Sequence, residues 1–215
     1  MDNWYPIAVA KIQGLYAITD PALIPAERLL QACDAALRGG AQLLQYRDKP
    51  ASISERRQRA VSLRDLCRDH DALFLINDDP ELAADIGADG VHIGQSDGDI
   101  ARARQLLGPR AVIGVSCYNS LDLARAAEEA SANYVAFGRF YPSLTKPQAA
   151  GADPAVLHND LAIPQVAIGG ITLDNASALI TAGADAIAVI HGLFSAADIE
   201  AQARAFSRLF HTTSA

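Results

Sequence analysis

Gly40-Ala41-Gln42-Leu43 is the first of four similar stretches that decide how this chain folds. The other copies are Gly87-Ala88-Asp89-Gly90-Val91, Ser131-Ala132-Asn133-Tyr134 and Gly183-Ala184-Asp185-Ala186-Ile187. Their alanines are spaced by 47, 44 and 52 residues. Each copy follows an Ala/Leu-rich segment with helical spacing and opens a short apolar run, which is typical of a helix that leads into a buried parallel strand.

One further strand-like run precedes each copy of the repeat. These runs are Gly14–Ile18, Leu73–Asn77, Ala111–Ser116 and Gln165–Gly169. Eight strands that alternate with helices predict an α/β fold, a single (β/α)₈ TIM barrel. A doubly wound open sheet is the alternative; four copies of the repeat and the lack of a Gly-rich dinucleotide motif after the first strand favour the barrel. We expect one domain over residues 1–215, with an N-terminal extension at 1–13 and a C-terminal tail at 211–215.

Several residues carry the signals that begin or end helices. Ser52 with Glu55 and Ser195 with Asp198 have the spacing of capping boxes. Proline stands at a first helical position in Asp79-Pro80 and Asp153-Pro154. Helices are predicted to end at Gly39, Gly108 and Gly183.

The composition is that of a packed globular protein. Half of the 215 residues are hydrophobic (50%) and 20% are charged, which excludes a disordered or collagen-like chain. Apolar runs are too short to span a membrane, and the first residues do not resemble a signal peptide, so we expect a cytoplasmic protein. Cys33, Cys67 and Cys117 lack the spacing of a zinc site and are expected to be buried thiols.

The formal net charge of −7 argues against a surface for nucleic acid or anionic membranes. Arginine supplies 15 of the 18 basic residues, and the three lysines are Lys11, Lys49 and Lys146. Small molecules are therefore the expected partners, and an anionic one needs a locally basic pocket. The sequence leaves a homo-oligomer open.

The polar residues that follow the second strand suit an anionic ligand. Active sites of TIM barrels lie at the carboxyl ends of the strands. Gln45, Arg47 and Lys49 alternate along an extended segment, so they can face one ligand with an amide and two cations. This cluster favours a phosphate or pyrophosphate; a solvated polar loop is the alternative.

Acidic residues follow the third and fourth strands. Asp78 and Asp97 offer hard oxygen ligands on neighbouring loops, and Mg²⁺ is commonly held by one or two carboxylates together with substrate phosphates. Helix capping is the alternative. Asp79 before Pro80 is a natural cap that leaves Asp78 free, whereas Asp97 or Asp99 can cap the next helix.

Two segments near the end of the chain predict further ligand contacts. The long loop at 139–152 contains Ser143-Leu144-Thr145-Lys146, and long loops in compact domains are often functional. Gly169-Gly170 leads into a predicted helix, where free backbone N–H groups can receive a phosphate. His191 after the last strand is expected to donate to a phosphate or to be structural.

Other candidates are assigned to structure. His92 and His158 are expected to be structural, and Trp4, Tyr16, Phe74 and Phe137 to pack in the core. Ser116 lacks a Gly-x-Ser-x-Gly elbow, which argues against a nucleophilic serine.

Six segments together resemble the thiamine phosphate synthase family, over about residues 14–210. They are Gln45-Tyr46-Arg47-Asp48-Lys49, Asn77-Asp78, Gly94-Gln95-Ser96-Asp97, Gly114-Val115-Ser116, residues 138–146 and Ile168-Gly169-Gly170-Ile171. The resemblance implies a transferase that joins hydroxymethylpyrimidine pyrophosphate to a thiazole phosphate, which is carboxylated in one possible form, and releases pyrophosphate. It also implies a dissociative substitution in which pyrophosphate leaves first.

The resemblance further implies roles for individual residues. The pyrimidine pyrophosphate is expected at Gln45, Arg47, Lys49, Asn77 and Lys146, with Ser116 near the pyrimidine. Tyr46, Asp48 and Leu144 are expected to bind substrate as well. The thiazole phosphate is expected at Ser143, Thr145, Gly170, Ile190 and His191. Arg47, Lys49, Ser116 and Lys146 are the expected catalytic residues, and Asp78 and Asp97 the expected Mg²⁺ ligands.

Three positions depart from the pattern of this family: Arg139 where proline is usual, Tyr118 where histidine is frequent, and His191 where serine is frequent. Two alternatives remain from the sequence. One is an isomerase that resembles the thiazole tautomerases, whose proton transfer depends on a histidine at the position of Tyr118. The other is a non-catalytic regulator that binds thiamine phosphates.

Overall fold

Eight parallel strands close into a barrel in the structure, a computed structural model that describes residues 12–95, 98–142 and 150–211. The strands pair in chain order, and β8 pairs with β1 to close the ring. They are β1 (Gly14–Ile18), β2 (Leu43–Tyr46), β3 (Leu73–Asn77), β4 (Gly90–Ile93), β5 (Val112–Tyr118), β6 (Tyr134–Phe137), β7 (Gln165–Ile168) and β8 (Ala186–Val189). The TIM barrel predicted from the repeat is confirmed, and the open sheet is excluded.

Helices pack around the outside of the barrel. In the described ranges they are α1 (Leu29–Arg38), α2 (Ile53–Asp69), α3 (Pro80–Ile86), α4 (Ile100–Leu107), α5 (Leu121–Glu129), α6 (Leu173–Thr181), α7 (His191–Phe194) and α8 (Ile199–His211). Short 3₁₀ turns cover Ala26–Arg28 and Pro154–Leu157. The connection between β6 and β7 therefore contains, in its described part, a single 3₁₀ turn where the alternation predicts an α-helix.

Side chains alternate between two cores along each strand. Leu15, Ala17 and Phe74 face outward and pack with the helices. Tyr16 and Leu75 face the barrel interior, as the period of two for a strand requires. Ile12 is also buried in the interior cluster, so the end of the predicted N-terminal extension is packed against the barrel.

In three copies of the repeat, the polar residue makes two hydrogen bonds to one residue of the preceding strand, an arrangement here called a clamp. Asn133 N donates to Ile113 O at 2.7 Å, and its Oδ1 accepts from Ile113 N at 2.8 Å. Asp89 makes the same pair of bonds with Phe74, as does Asp185 with Gln165. The residue just before β4, β6 and β8 thus satisfies both the N–H and the C=O of one residue on the preceding strand, which fixes the register of each pair of strands.

Most of the predicted helix boundaries are confirmed. Ser52 and Glu55 form a complete capping box at the start of α2. Asp79 caps α3 with Pro80 at the first helical position. The cap predicted at Ser195 is wrong: the Ser195 hydroxyl donates to His191 O at the end of α7, and Asp198 caps α8 by accepting from Ala201 N.

The last helix closes the outer ring against the first. A Cβ at Gly39 would lie 2.4 Å from Ala203 Cβ, so α1 and α8 approach closely because Gly39 has no side chain. Ser207 Oγ donates to Gly39 O at 3.2 Å across this contact. Phe206 on the inner face of α8 is fully buried.

We predict that Asn133→Ala lowers the free energy of unfolding by about 1–3 kcal/mol, because Ile113 N is left without an acceptor in a buried position. Urea denaturation monitored by circular dichroism measures this change. Gln42→Ala is the matched control, because Gln42 occupies the same repeat position but its side chain is exposed; an equal loss of stability in both variants would contradict the clamp.

Candidate active site

A cavity of about 300 Å³ opens at the carboxyl ends of the strands. Residues of all eight strands line it, together with residues of the segments that follow the strands. Of the predicted site residues, its walls contain Gln45, Arg47, Lys49, Asn77, Asp78, Ser116, Gly170, Ile190 and His191. Parallel strands thus bring together residues from distant parts of the sequence.

The end of β2 and the residues that follow it turn three polar side chains into the cavity. Gln45 is buried and Lys49 is exposed, with Arg47 between them. Thr19 holds this segment in place, since its Oγ1 accepts from Arg47 N at 2.9 Å and donates to Arg47 O at 3.1 Å. The alternation predicted for these residues is therefore present, and two cations face the cavity.

Tyr46 and Asp48 point to the opposite side of the same segment. The Tyr46 hydroxyl donates to Asp48 Oδ2 at 3.1 Å, and Arg59 Nη1 lies 2.7 Å from the same oxygen. Burial, followed by the negative charge of Asp48, raises the pKa of Tyr46. The structure therefore does not bring these two predicted ligand residues into the main cavity; they fix the β2 segment against α2.

Asp78 lies at the edge of the cavity among polar partners. Its Oδ2 accepts from Asn77 Nδ2 at 2.6 Å and pairs with Lys49 Nζ at 3.1 Å. Its side chain is 20% exposed, so its oxygens are accessible from the cavity. Asp79 and Asp99 cap α3 and α4, which leaves Asp78 out of helix capping.

Gly169 and Gly170 form the opposite wall. Their φ angles are 102° and 65°, which side chains rarely adopt. A Cβ would lie 2.2 Å from Arg139 Cβ at Gly169 and 2.3 Å from Pro142 O at Gly170. The two glycines therefore allow the segment after β6 to pack on the segment after β7. His191 lies exposed at the rim of the same wall, as the first residue of α7.

A chain of buried hydrogen bonds crosses the floor of the cavity. Gln45 Nε2 donates to Tyr16 OH at 2.6 Å, and Tyr16 OH lies 2.9 Å from Tyr134 OH. His92 connects Tyr134 to Ser116, with Nδ1 2.8 Å from Tyr134 OH and Nε2 2.9 Å from Ser116 Oγ. Burial raises the pKa of both tyrosines, so they stay protonated phenols at neutral pH.

Sequence reasoning assigned His92 and Tyr16 to structural roles and missed their place on the cavity wall. The period-two alternation is the signal that could have found them. Val91 and Ile93 belong to the outer core, so the residue between them must face inward. Phe74 and Phe137 do pack in the outer core, and His158 follows the 3₁₀ turn at Pro154–Leu157.

Several predicted residues lie outside the described part of the chain. They are Trp4, Asp97, Ser143, Leu144, Thr145 and Lys146. Within the described part, no group of three or more His, Cys, Asp or Glu side chains could enclose a metal ion. All three cysteines are buried and unpaired, as expected.

A closed (β/α)₈ barrel with a cavity at the carboxyl ends of its strands, lined in part by charged and polar side chains, is the architecture of a barrel enzyme. Among its described helices, none combines the length and apolar character needed to cross a membrane. The comparisons with known proteins identify the family within this class.

The family model described as thiamine monophosphate synthase matches residues 15–193. The thiamine-phosphate synthase of Alcanivorax borkumensis is 56% identical over 94% of this chain and 96% of its own. The thiamine-phosphate synthase of Marinobacter nauticus is 55% identical over 92% of this chain and 90% of its own. The structure of thiamine phosphate pyrophosphorylase from Pyrococcus furiosus superimposes with a TM-score of 0.85 at 33% identity, over 96% of this chain and 99% of the other.

The chain therefore belongs to the thiamine monophosphate synthase family and is a transferase of that family. The isomerase and regulator alternatives are not favoured, because the matching relatives carry the name of the synthase. Tyr118, the position that distinguishes the tautomerases, lies at the cavity rim and is 47% exposed.

We predict that Tyr16, Tyr46 and Tyr134 resist ionisation in the folded protein, because burial raises the pKa of each. Their pKa is higher in the folded state than in the unfolded state, so this contribution to stability is complete below about pH 10 and declines as the pH rises above it. Tyrosinate absorbance, measured in native protein and in urea, checks this. Ionisation of all six tyrosines in the native protein near their ordinary pKa would contradict it.

Proposed function

We propose that this enzyme joins hydroxymethylpyrimidine pyrophosphate to a thiazole phosphate and releases pyrophosphate, with both substrates in the one cavity. The observation that carries the proposal is the polarity of the two walls. Arg47 and Lys49 bring positive charge to the cavity after β2, and Gly170 and His191 line it after β7 and β8, where backbone and imidazole N–H groups can donate to a phosphate. Two separate anion-binding sites in one cavity suit a reaction between two phosphorylated molecules.

The pyrophosphate group is assigned to the β2 side of the cavity. Gln45, Arg47, Lys49 and Asn77 would bind it, with Lys146 of the loop after β6 as a further cation. Charge on a departing pyrophosphate grows as its bond to the pyrimidine methylene carbon breaks. Preorganised cations therefore stabilise the transition state more than the bound substrate.

Mg²⁺ is the proposed cofactor, with Asp78 and Asp97 as its protein ligands. Asp78 fits this role, because it offers carboxylate oxygens at the cavity edge and caps no helix. A site with few carboxylates that is completed by phosphate oxygens agrees with the usual coordination of Mg²⁺. When bound, the ion would neutralise negative charge on the pyrophosphate.

The thiazole phosphate is assigned to the opposite wall, at Gly170, Ile190 and His191, with Ser143, Leu144 and Thr145 from the loop after β6. Ser116 would lie near the pyrimidine ring. In the proposed dissociative substitution, the C–O bond to pyrophosphate breaks first and its electron pair leaves with the pyrophosphate. The lone pair of the thiazole nitrogen then forms the new C–N bond, so no side chain needs to act as a nucleophile or base.

The direct test is to mix both substrates with Mg²⁺ and the purified protein and to identify the products by mass spectrometry. Equimolar thiamine phosphate and pyrophosphate are expected. Isomerisation of the thiazole phosphate without condensation would instead support a tautomerase, and binding without turnover would support a regulator. The cytoplasm remains the predicted location.

We predict that Asp78→Asn lowers turnover at least about tenfold, because a carboxamide binds Mg²⁺ less strongly than a carboxylate and tenfold requires only about 1.4 kcal/mol. Asp99→Asn is the control, since asparagine also caps helices and Asp99 caps α4. Steady-state rates over a range of Mg²⁺ concentrations measure both variants. Full activity of the wild-type enzyme in excess chelator would contradict the metal assignment.

We predict that His191→Ala raises the KM for the thiazole phosphate and leaves the KM for the pyrimidine pyrophosphate nearly unchanged. The reason is that His191 and Gly170 line the cavity after β8 and β7, whereas Arg47 lines it after β2. His158→Ala is the control, because His158 does not line the cavity. Initial rates with each substrate varied in turn separate the two constants, and equal changes in both would contradict the assignment of the walls.

A further inference from the structure

The hydrogen-bond chain on the cavity floor has one open end. Tyr16 and Tyr134 are only 1% and 0% exposed, so the hydroxyl hydrogen of each needs a protein acceptor. Ser116 is the last member of the chain and is partly exposed to the cavity. The direction of each hydrogen bond can therefore be assigned in turn, from the buried end of the chain to the cavity.

Gln45 lies at the buried end of the chain. Its Nε2 can only donate, and it donates to Tyr16 OH. The Tyr16 hydrogen then points to Tyr134 OH, which is the acceptor within reach among the described residues. The Tyr134 hydrogen in turn requires a lone pair on His92 Nδ1. In its neutral form, His92 then carries its hydrogen on Nε2 and donates it to Ser116 Oγ.

The opposite direction leaves a buried hydrogen without a partner. If Ser116 donated to His92, then His92 Nδ1 would donate to Tyr134, and Tyr134 to Tyr16. The Tyr16 oxygen would accept twice, while its own hydrogen would find no acceptor among the described residues. A buried donor without an acceptor loses its hydrogen bond to water and gains none in the protein, so this arrangement is unfavourable.

Glycine at position 114 makes the chain possible. Gly114 pairs with His92 on β4 and with Tyr134 on β6, so the three residues lie at one level of the barrel. A Cβ at Gly114 would lie 1.9 Å from Tyr134 Cζ. The Tyr134 ring therefore crosses β5 where a side chain is missing, and it stacks on His92 with ring centroids 5.6 Å apart.

We propose that this one-way chain makes Ser116 an obligate hydrogen-bond donor to the ligand, with Tyr16, Tyr134 and His92 as positioning residues. Because Ser116 Oγ already accepts from His92, its own hydrogen is directed to the cavity. The ligand atom opposite Ser116 is then an acceptor, such as an unprotonated nitrogen of an aromatic ring, and not an amino group. The identification of that ring as the pyrimidine rests on the proposed function.

The proton position on His92 tests the direction without any substrate. Nitrogen NMR of ¹⁵N-histidine-labelled protein, with the His92 signals assigned by their loss in His92→Gln, is expected to show the Nε2–H tautomer. Tyr134→Phe removes the donor to Nδ1 and should move the Nδ1 resonance downfield. Tyr16→Phe also removes a tyrosine hydroxyl, but one that does not contact His92, so His92 Nδ1 should still accept from Tyr134. An Nδ1–H tautomer in the wild-type protein would overturn the proposal.

Two substitutions at His92 test the consequence for substrate. A glutamine amide can reach the Nε2 position and donate to Ser116, whereas the shorter asparagine reaches only the Nδ1 position. We expect the KM for the pyrimidine pyrophosphate to be about tenfold higher in His92→Asn than in His92→Gln, as for one lost hydrogen bond. The KM for the thiazole phosphate should be the same in both.

Equal KM values for the pyrimidine pyrophosphate in two variants that are both folded by circular dichroism would contradict the role of His92 in positioning Ser116. A wild-type enzyme that forms no thiamine phosphate would refute the proposed function instead. The tautomer measurement would still decide the direction of the chain in that case.

Discussion

Closure of eight parallel strands into a ring is the constraint on which this molecule depends. Parallel strands direct all their carboxyl ends to one face, and closure places those ends around a common axis. Gln45 and His191, which are far apart in the sequence, consequently face the same cavity. The ring is held in register by clamps such as Asn133 on Ile113, in which one repeat residue satisfies both backbone groups of the strand beside it.

The fold could be predicted from the sequence because its signals are local and repeated. The Gly-Ala-polar stretches locate the even strands, and the apolar runs between them locate the odd ones. The Ser195 cap was wrong because the Ser195 side chain bonds back into the preceding helix, a competition that the spacing does not reveal. The connection after β6 differs because the repeat predicts where strands begin but not what structure lies between them.

The candidate site was only partly predictable, for a physical reason. Alternation along the extended segment after β2 places Gln45 and Arg47 on one side, and the same rule sends Tyr46 outward. The contact between Tyr134 and His92 depends on the missing side chain at Gly114 between them, which is a relation among three strands. Such a relation follows from the register of the closed barrel, and no single segment of sequence contains it.

The central claim is that one cavity holds both substrates with their phosphates on opposite walls. A crystal structure with Mn²⁺, thiazole phosphate and a pyrimidine pyrophosphate analogue whose leaving oxygen is replaced by a methylene group would test it most directly. The account predicts an anomalous manganese peak beside Asp78, the pyrophosphate at Arg47 and Lys49, and the thiazole phosphate at Gly170. A pyrophosphate bound at Gly170, or either substrate bound outside the cavity, would contradict it.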